Sequence, residues 1–152
     1  MILVFIYKRM DRMKRQNFSK KREAIFRSIC STDTHPTAEW VYNQLKPEFP
    51  DLSLGTVYRN ISMFKERGMV ISVGTVNGQE RFDGNVKPHP HFICTKCGAV
   101  IDVNQITGDN RSLDYSVASA YGFQVDYHSL CFFGTCAACM NCLLYTSQSP
   151  RD

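Results

Sequence analysis

Two Cys-x-x-Cys pairs, Cys94-Thr-Lys-Cys97 and Cys136-Ala-Ala-Cys139, constrain this chain more than any other feature it carries. Four thiolates in two such knuckles make the tetrahedral donor set of a closed structural zinc site. The 38 residues between the pairs exceed the loop of a common zinc ribbon, so a metal held by all four would tie together two ends of a folded unit. A disulfide oxidoreductase needs one Cys-x-x-Cys that opens a helix after a strand. Here two motifs flank a unit, and zinc is the reading the spacing favours. Seven cysteines, four of them in knuckles, fit a reducing compartment and metal binding better than a disulfide framework. Cys30 and Cys131 are expected to be packed cysteines.

The unit bounded by the knuckles, residues 92–141, holds about 50 residues, too few for a firm core unaided, so a structural metal or a second subunit is expected. The whole chain, 152 residues and 43% hydrophobic, accommodates one domain or two small ones. Its longest apolar run near either end, Ile2 to Tyr7, is far short of a membrane span. A cytoplasmic protein with no membrane partner is therefore expected. Charge divides the chain unevenly: residues 1–70 carry 13 basic and 7 acidic side chains, net +6, and residues 71–152 carry 5 and 7, net −2. A basic front joined to a ligand-rich back suggests nucleic acid as a partner.

The front half reads as three helices and a hairpin. After Ser19, the apolar positions Ile25, Phe26 and Ile29 recur at helical spacing and stop before Ser31-Thr32-Asp33. Thr37 is placed to cap a second helix carrying Ala38, Val41, Tyr42 and Leu45, which Pro47 and Pro50 end. Ser53 caps a third, with Leu54, Val57, Ile61 and Phe64 as its buried stripe and Gly68 at its close. That stripe leaves Thr56, Tyr58, Arg59, Asn60 and Met63 on the other faces. From Met69 to Val76 the period changes to that of a strand, Asn77-Gly78 is a strong hairpin turn, and Gln79 to Phe82 returns. Three helices and a hairpin describe a winged helix, whose third helix enters the DNA major groove. A plain three-helix domain with an added hairpin is the other arrangement the pattern allows.

Residues 84–91, with Gly84, Pro88 and Pro90, read as a hinge. Beyond it, two short strands surround Cys94 to Gly98. A helix carries Leu113, Val117 and Tyr121 up to Gly122, and a long strand is expected from Phe123 to Phe133. Residues 1–17 are expected to be a disordered basic extension, with translation beginning at Met10 or Met13. Residues 142–152 resemble the translation of a sequencing adaptor and are expected to be a non-native tail, which removes Cys142 from the ligand candidates.

Imidazole and carboxylate together suit iron, manganese or zinc, a different preference from that of four thiolates. Read from the residues alone, only His89-Pro-His91 suggests such a second site. His35 is as well explained as a cap, Asp83 and Asp102 as turn residues, and His128 receives no role.

The order of Thr34-His35-Pro-Thr-Ala38, Thr56-Val-Tyr-Arg-Asn60, Glu80-Arg-Phe-Asp83, His89-Pro-His91, Cys94-Thr-Lys-Cys97-Gly98 and Cys136-Ala-Ala-Cys139 resembles the ferric uptake regulator family over about residues 18–140. The resemblance implies an α+β protein: an N-terminal winged-helix DNA-binding domain (18–83), a hinge (84–91) and a small α/β dimerisation domain (92–141) with a structural four-cysteine zinc site. It implies a homodimeric repressor of a palindromic operator in double-stranded DNA, not an enzyme. Within the family the chain is most similar to the peroxide-responsive branch, whose regulatory Fe(II) or Mn(II) site falls here on His35, Asp83, His89, His91 and Asp102. Aspartate at both carboxylate positions favours that branch over iron- or zinc-responsive uptake repressors, which more often carry glutamate. In that branch Fe(II)-catalysed oxidation of a ligand histidine, here His35 or His89, releases the DNA and derepresses oxidative-stress genes. Pro90 departs from the family pattern, and its fixed φ bears on how the two flanking imidazoles reach one ion. On this reading Ser53, Thr56, Tyr58, Arg59 and Asn60 face DNA, and Lys20, Lys21 and Arg22 add phosphate contacts.

Overall fold

The first three helices among the described residues are each begun by a hydroxyl side chain that satisfies a backbone N–H of the first turn. In the computed structural model, which describes residues 19–104 and 111–146, α1 spans Lys20–Cys30 and Ser19 accepts from the Arg22 N–H. Thr37 accepts from the Trp40 N–H ahead of α2 (Ala38–Leu45), and Ser53 from the Thr56 N–H ahead of α3 (Leu54–Glu66). Phe26 and Phe64 meet edge to face with ring centroids 5.3 Å apart, and Ile25, Ile29, Val41, Val57 and Ile61 complete the centre of the core. Leu54 is half-buried, at the rim of its stripe instead of inside it.

Gly68 ends α3 because the chain there takes φ +62, which favours glycine. Met69 N–H then bonds the Phe64 carbonyl at 2.8 Å and Gly68 N–H the Lys65 carbonyl at 2.9 Å, the paired closure of a Schellman motif. The hairpin follows as β1 (Ile71–Val76) and β2 (Gln79–Asp83), antiparallel, with Asn77 and Gly78 both at positive φ in the turn. Phe82 enters the helical core, and its N–H donates to the Pro36 carbonyl at 3.1 Å, fastening β2 to the segment before α2.

The chain divides into two units, one through Val86 and one from Lys87. In the second unit β3 (His91–Cys94) pairs antiparallel with β4 (Val100–Asp102) and parallel with β5 (Cys131–Gly134), giving the order β4-β3-β5. β3 begins at His91, the last residue assigned to the hinge. α4 (Arg111–Tyr121) lies in the crossover, and α5 (Ala137–Thr146) follows β5. The strand expected over 123–133 is only the four residues of β5, because β3 is itself four residues long and offers no partner further back. The helical backbone of α5 continues to Thr146, five residues into the segment set aside as a tail. Residues 1–18, 105–110 and 147–152 lie outside the described residues, and with them most of the proposed extension and the end of the tail.

The twelve residues of the main hydrophobic cluster all belong to the first unit. In the second, Ile93 and Val100 are the buried branched aliphatic side chains among the described residues, joined by Cys94 and Cys136. α4 buries no residue: Leu113 is 53% exposed and Tyr121 70%. Among the described residues no helix is long and apolar enough to cross a membrane.

Candidate metal centres and nucleic-acid interface

The parallel register of β3 and β5 brings the distant knuckles together. Cys94 stands opposite Gly134, and Thr95 N–H donates to the Gly134 carbonyl at 2.8 Å, so Cys136 arrives beside Cys94 two residues later. The first knuckle turns through Gly98 at φ +72, with the Gly98 N–H on the Cys94 carbonyl. The second lies at the start of α5, where the positive end of the helix favours anionic sulfur. The four Sγ atoms lie within 4.8 Å of one another, and Cys97 Sγ is 3.8 Å from Cys136 Sγ. That matches the edge of about 3.8 Å in a tetrahedron with Zn–S bonds of about 2.3 Å.

Backbone N–H groups of Cys97 and Cys136 directed at Cys94 hold its thiol down at about 6, and the Cys136 N–H lies 3.3 Å from that sulfur. The Cys136 and Cys97 thiols beside Cys139 push that thiol up to about 12. The Cys94 thiolate is stabilised by the backbone while Cys139 resists joining it, a conflict that a divalent cation resolves. The donor set thus fits zinc.

The histidines and aspartates fall into two sets, one in each unit. In the first, His35 Nε2 lies 3.7 Å from Asp83 Oδ2, and both residues are buried. His35 adopts φ +52, a left-handed conformation costly for a side chain of this size. Arg81 holds it there by donating to the His35 carbonyl at 3.1 Å, while Asn85 N–H donates to Asp83 Oδ1 at 2.7 Å. In the second unit His89 Nε2 lies 3.1 Å and His91 Nε2 3.5 Å from Asp102 Oδ1, with the two rings 4.3 Å apart. His91 and Asp102 are cross-strand partners, which fixes their approach.

His89 Nδ1 is 2.7 Å from the Lys87 carbonyl, which only accepts, so Nδ1 carries the ring proton. The neutral ring then presents the Nε2 lone pair to a carboxylate oxygen, and only a proton or a cation between them makes that contact favourable. A carbonyl that fixes the tautomer of a ligating imidazole is a recurrent support of metal sites. This N/O set fits iron or manganese. His128, without a role in the sequence reading, donates from Nδ1 to Asp114 Oδ1 at 2.7 Å.

On α3, Ser53 Oγ and Thr56 Oγ1 are 2.9 Å apart, Arg59 donates to Thr56 Oγ1 at 3.1 Å, and Asn60 Nδ2 to the Thr56 carbonyl at 2.8 Å. Tyr58 and Arg59 are exposed. Of the basic residues at the start of α1, Lys20 is exposed, Lys21 pairs with Asp51, and Arg22 Nε donates to Asn60 Oδ1 at 2.9 Å. Arg22 and Asn60, both expected at DNA, are thus bound to each other. Two residues escaped the sequence reading. Arg81 grips a carbonyl 46 residues away, and Glu39 accepts the Tyr58 hydroxyl at 2.6 Å across 19 residues, separations that leave no local pattern.

Comparison with known proteins places these features in one family. The model of the ferric uptake regulator family matches residues 14–133. The chain is 34% identical over 119 residues to the peroxide-responsive repressor PerR of Staphylococcus epidermidis, covering 78% of each protein. Among solved structures it is similar to the Campylobacter jejuni peroxide stress regulator, with a TM-score of 0.69 and 25% identity over 86% of this chain and 97% of that one. It also shares the fold of the Helicobacter pylori ferric uptake regulator, with a TM-score of 0.73 and 21% identity over 91% and 93%. With a winged helix, a small α/β unit built on four cysteines, and donors suited to zinc and to iron or manganese, the chain belongs to the ferric uptake regulator family of metal-responsive repressors.

Proposed function

We propose that this protein is a homodimeric repressor that releases its operator when peroxide oxidises a histidine of its regulatory metal site, a task carried out on DNA in the cytoplasm. The observation that carries the reading is the paired-aspartate donor set, Asp83 beside His35 and Asp102 beside His89 and His91. The 34% identity to a peroxide-responsive repressor supports it. In this reading Cys94, Cys97, Cys136 and Cys139 hold structural zinc, and all five histidine and aspartate ligands serve one iron or manganese ion. In this reading the bound ion favours the DNA-binding form. Converting a population from 1:99 to 99:1 takes about 5.5 kcal/mol of differential affinity.

Fe(II) in such donors supplies redox chemistry with peroxide that Mn(II) supplies poorly and Zn(II) not at all. The imidazoles of His35 and His89 are the expected targets: one peroxide oxygen adds to the ring and the other leaves as water. A ring so altered donates more weakly through Nε2, and the ion is held less tightly. The second unit supplies the dimer surface. β5 is an edge strand with Phe132 and Phe133 exposed, α4 leaves Leu113, Val117 and Tyr121 in solvent, and a two-fold copy offers a matching face.

The test is operator binding with Fe(II) and with Mn(II), each with and without hydrogen peroxide, followed by peptide mass spectrometry. Release is expected for iron alone, with one added oxygen on the peptide holding His35 or the one holding His89 and His91. Binding untouched by peroxide in both metal forms would make the chain an iron- or zinc-responsive uptake repressor instead. Release with intact histidines and oxidised Cys94 or Cys97 would put the sensor in the thiols.

A further inference from the structure

Tyr58 stands on the outward face of α3, 43% exposed, beside Arg59. Its hydroxyl donates to Glu39 Oε1 at 2.6 Å, in the range of short bonds to an ionised carboxylate. The bond acts on both groups. The carboxylate raises the Tyr58 pKa above its ordinary value, and the hydroxyl lowers that of Glu39. Glu39 is well anchored for this: it lies in the first turn of α2, where the helix dipole favours an acid, and α2 and α3 share the buried core through Val41, Val57 and Ile61.

A carboxylate at this place calls for an explanation. Next to a helix face that meets DNA, a negative charge opposes the phosphates and weakens binding to any sequence. A local conflict of that kind marks a residue kept for a task. The task readable here is to hold a ring. An exposed tyrosine without a partner samples several rotamers, whereas one whose hydroxyl is tied to a neighbouring helix keeps one. With its O–H directed at α2, Tyr58 has no donor left for a phosphate and offers its apolar body to the groove, where the thymine methyl group is the apolar feature of a base edge.

We infer that Glu39 is a positioning residue for sequence reading: it fixes the Tyr58 ring so that α3 discriminates bases, at the expense of affinity for DNA in general. The inference rests on the reading of α3 as the recognition helix. Its test uses the full-length Mn(II)-loaded protein and two probes, the duplex that the wild type enriches from a random-sequence pool and a scrambled version of it. The quantity read is the ratio of the two affinities at fixed salt.

Glu39→Ala should lower that ratio about five- to tenfold, the net worth of one ordinary hydrogen bond, with scrambled-duplex binding equal or tighter. Glu39→Gln, which keeps an acceptor and loses the charge, should restore the ratio to within about threefold of wild type. Tyr58→Phe should match Glu39→Ala, and the double variant should lose no more than either, since both break the same bond. Thermal midpoints equal to wild type exclude a folding defect. An unchanged ratio in Glu39→Ala, while Tyr58→Ala loses it, overturns the positioning role and leaves α3 as the reader. Glu39→Gln behaving like Glu39→Ala shows that charge, and not the bond, is at work, which also overturns it. Wild-type binding by both Tyr58→Ala and Arg59→Ala removes the recognition helix and the inference with it.

Discussion

Removing zinc should unfold one unit of this protein and leave the other standing. The second unit gains little from apolar burial: Ile93 and Val100 contribute about 1.5–3 kcal/mol each. A structural zinc site is worth about 10–16 kcal/mol, as much as the whole stability of an ordinary domain. Within one chain, no apolar burial of comparable size among the described residues holds β5 against β3 once the ion is gone. The first unit has its twelve-residue cluster and no cysteine of the knuckles, so its stability is independent of the metal. The measurement is hydrogen–deuterium exchange by mass spectrometry on full-length protein, before and after chelation, with zinc content determined in each sample. Peptides covering His91–Cys94 and Cys131–Gly134 should exchange at the rate of an unfolded chain once zinc is gone, while those within Val57–Phe64 stay protected. Cys94→Ser should reproduce the pattern without chelator. Slow exchange of β3 and β5 in verified zinc-free protein would refute the reasoning, as would simultaneous loss of protection in α3.

Two further outcomes follow from packing and from charge. A Cβ at residue 84 would sit 2.6 Å from Cys30 Sγ and 3.1 Å from Cys30 Cα, so Gly84→Ala should destabilise the first unit by about 1–3 kcal/mol. Urea unfolding followed by the fluorescence of Trp40, the single tryptophan, reads the loss, and adding Cys30→Ala should return part of it; full wild-type stability would show the chain yielding there freely. Arg59→Ala should cost about 1–3 kcal/mol of discrimination between operator and scrambled DNA, whereas Lys20→Ala with Lys21→Ala should mainly flatten the salt dependence. Most of that flattening should come from Lys20, since Lys21 is already paired with Asp51; equal operator binding by Arg59→Ala would assign the reading to another face.

The first unit was legible because its signals are local. Ser19, Thr37 and Ser53 each cap the helix that the apolar spacing announces, and Asn77-Gly78 makes the turn its dihedrals require. The second unit was less so, since its strands depend on partners far along the chain. The stretch from Phe123 to Phe133 reads as a long strand, yet pairing stops where β3 stops. Spacing identified the four cysteines as a set, but the parallel register that joins them cannot be read from spacing. Of the histidine and aspartate candidates, only His89 and His91 carry a signal of their own. His35, Asp83 and Asp102 emerged from resemblance, because nothing nearby distinguishes a ligand from a cap or turn residue. Glu39 and Arg81 act across the fold and gave no sign at all.

The brevity of β3 has a consequence for anyone titrating this protein. His91 and Cys94 are the two ends of one four-residue strand, about 10 Å apart at some 3.3 Å per residue. A histidine proposed to ligate the regulatory ion and a cysteine proposed to anchor zinc thus share a single short rod, and each sample's zinc content sets how well that rod is aligned. A preparation half depleted of zinc will behave as two proteins, giving a biphasic isotherm for manganese that mimics negative cooperativity between subunits. Affinities for the regulatory ion can be compared between samples only when their zinc stoichiometry is matched.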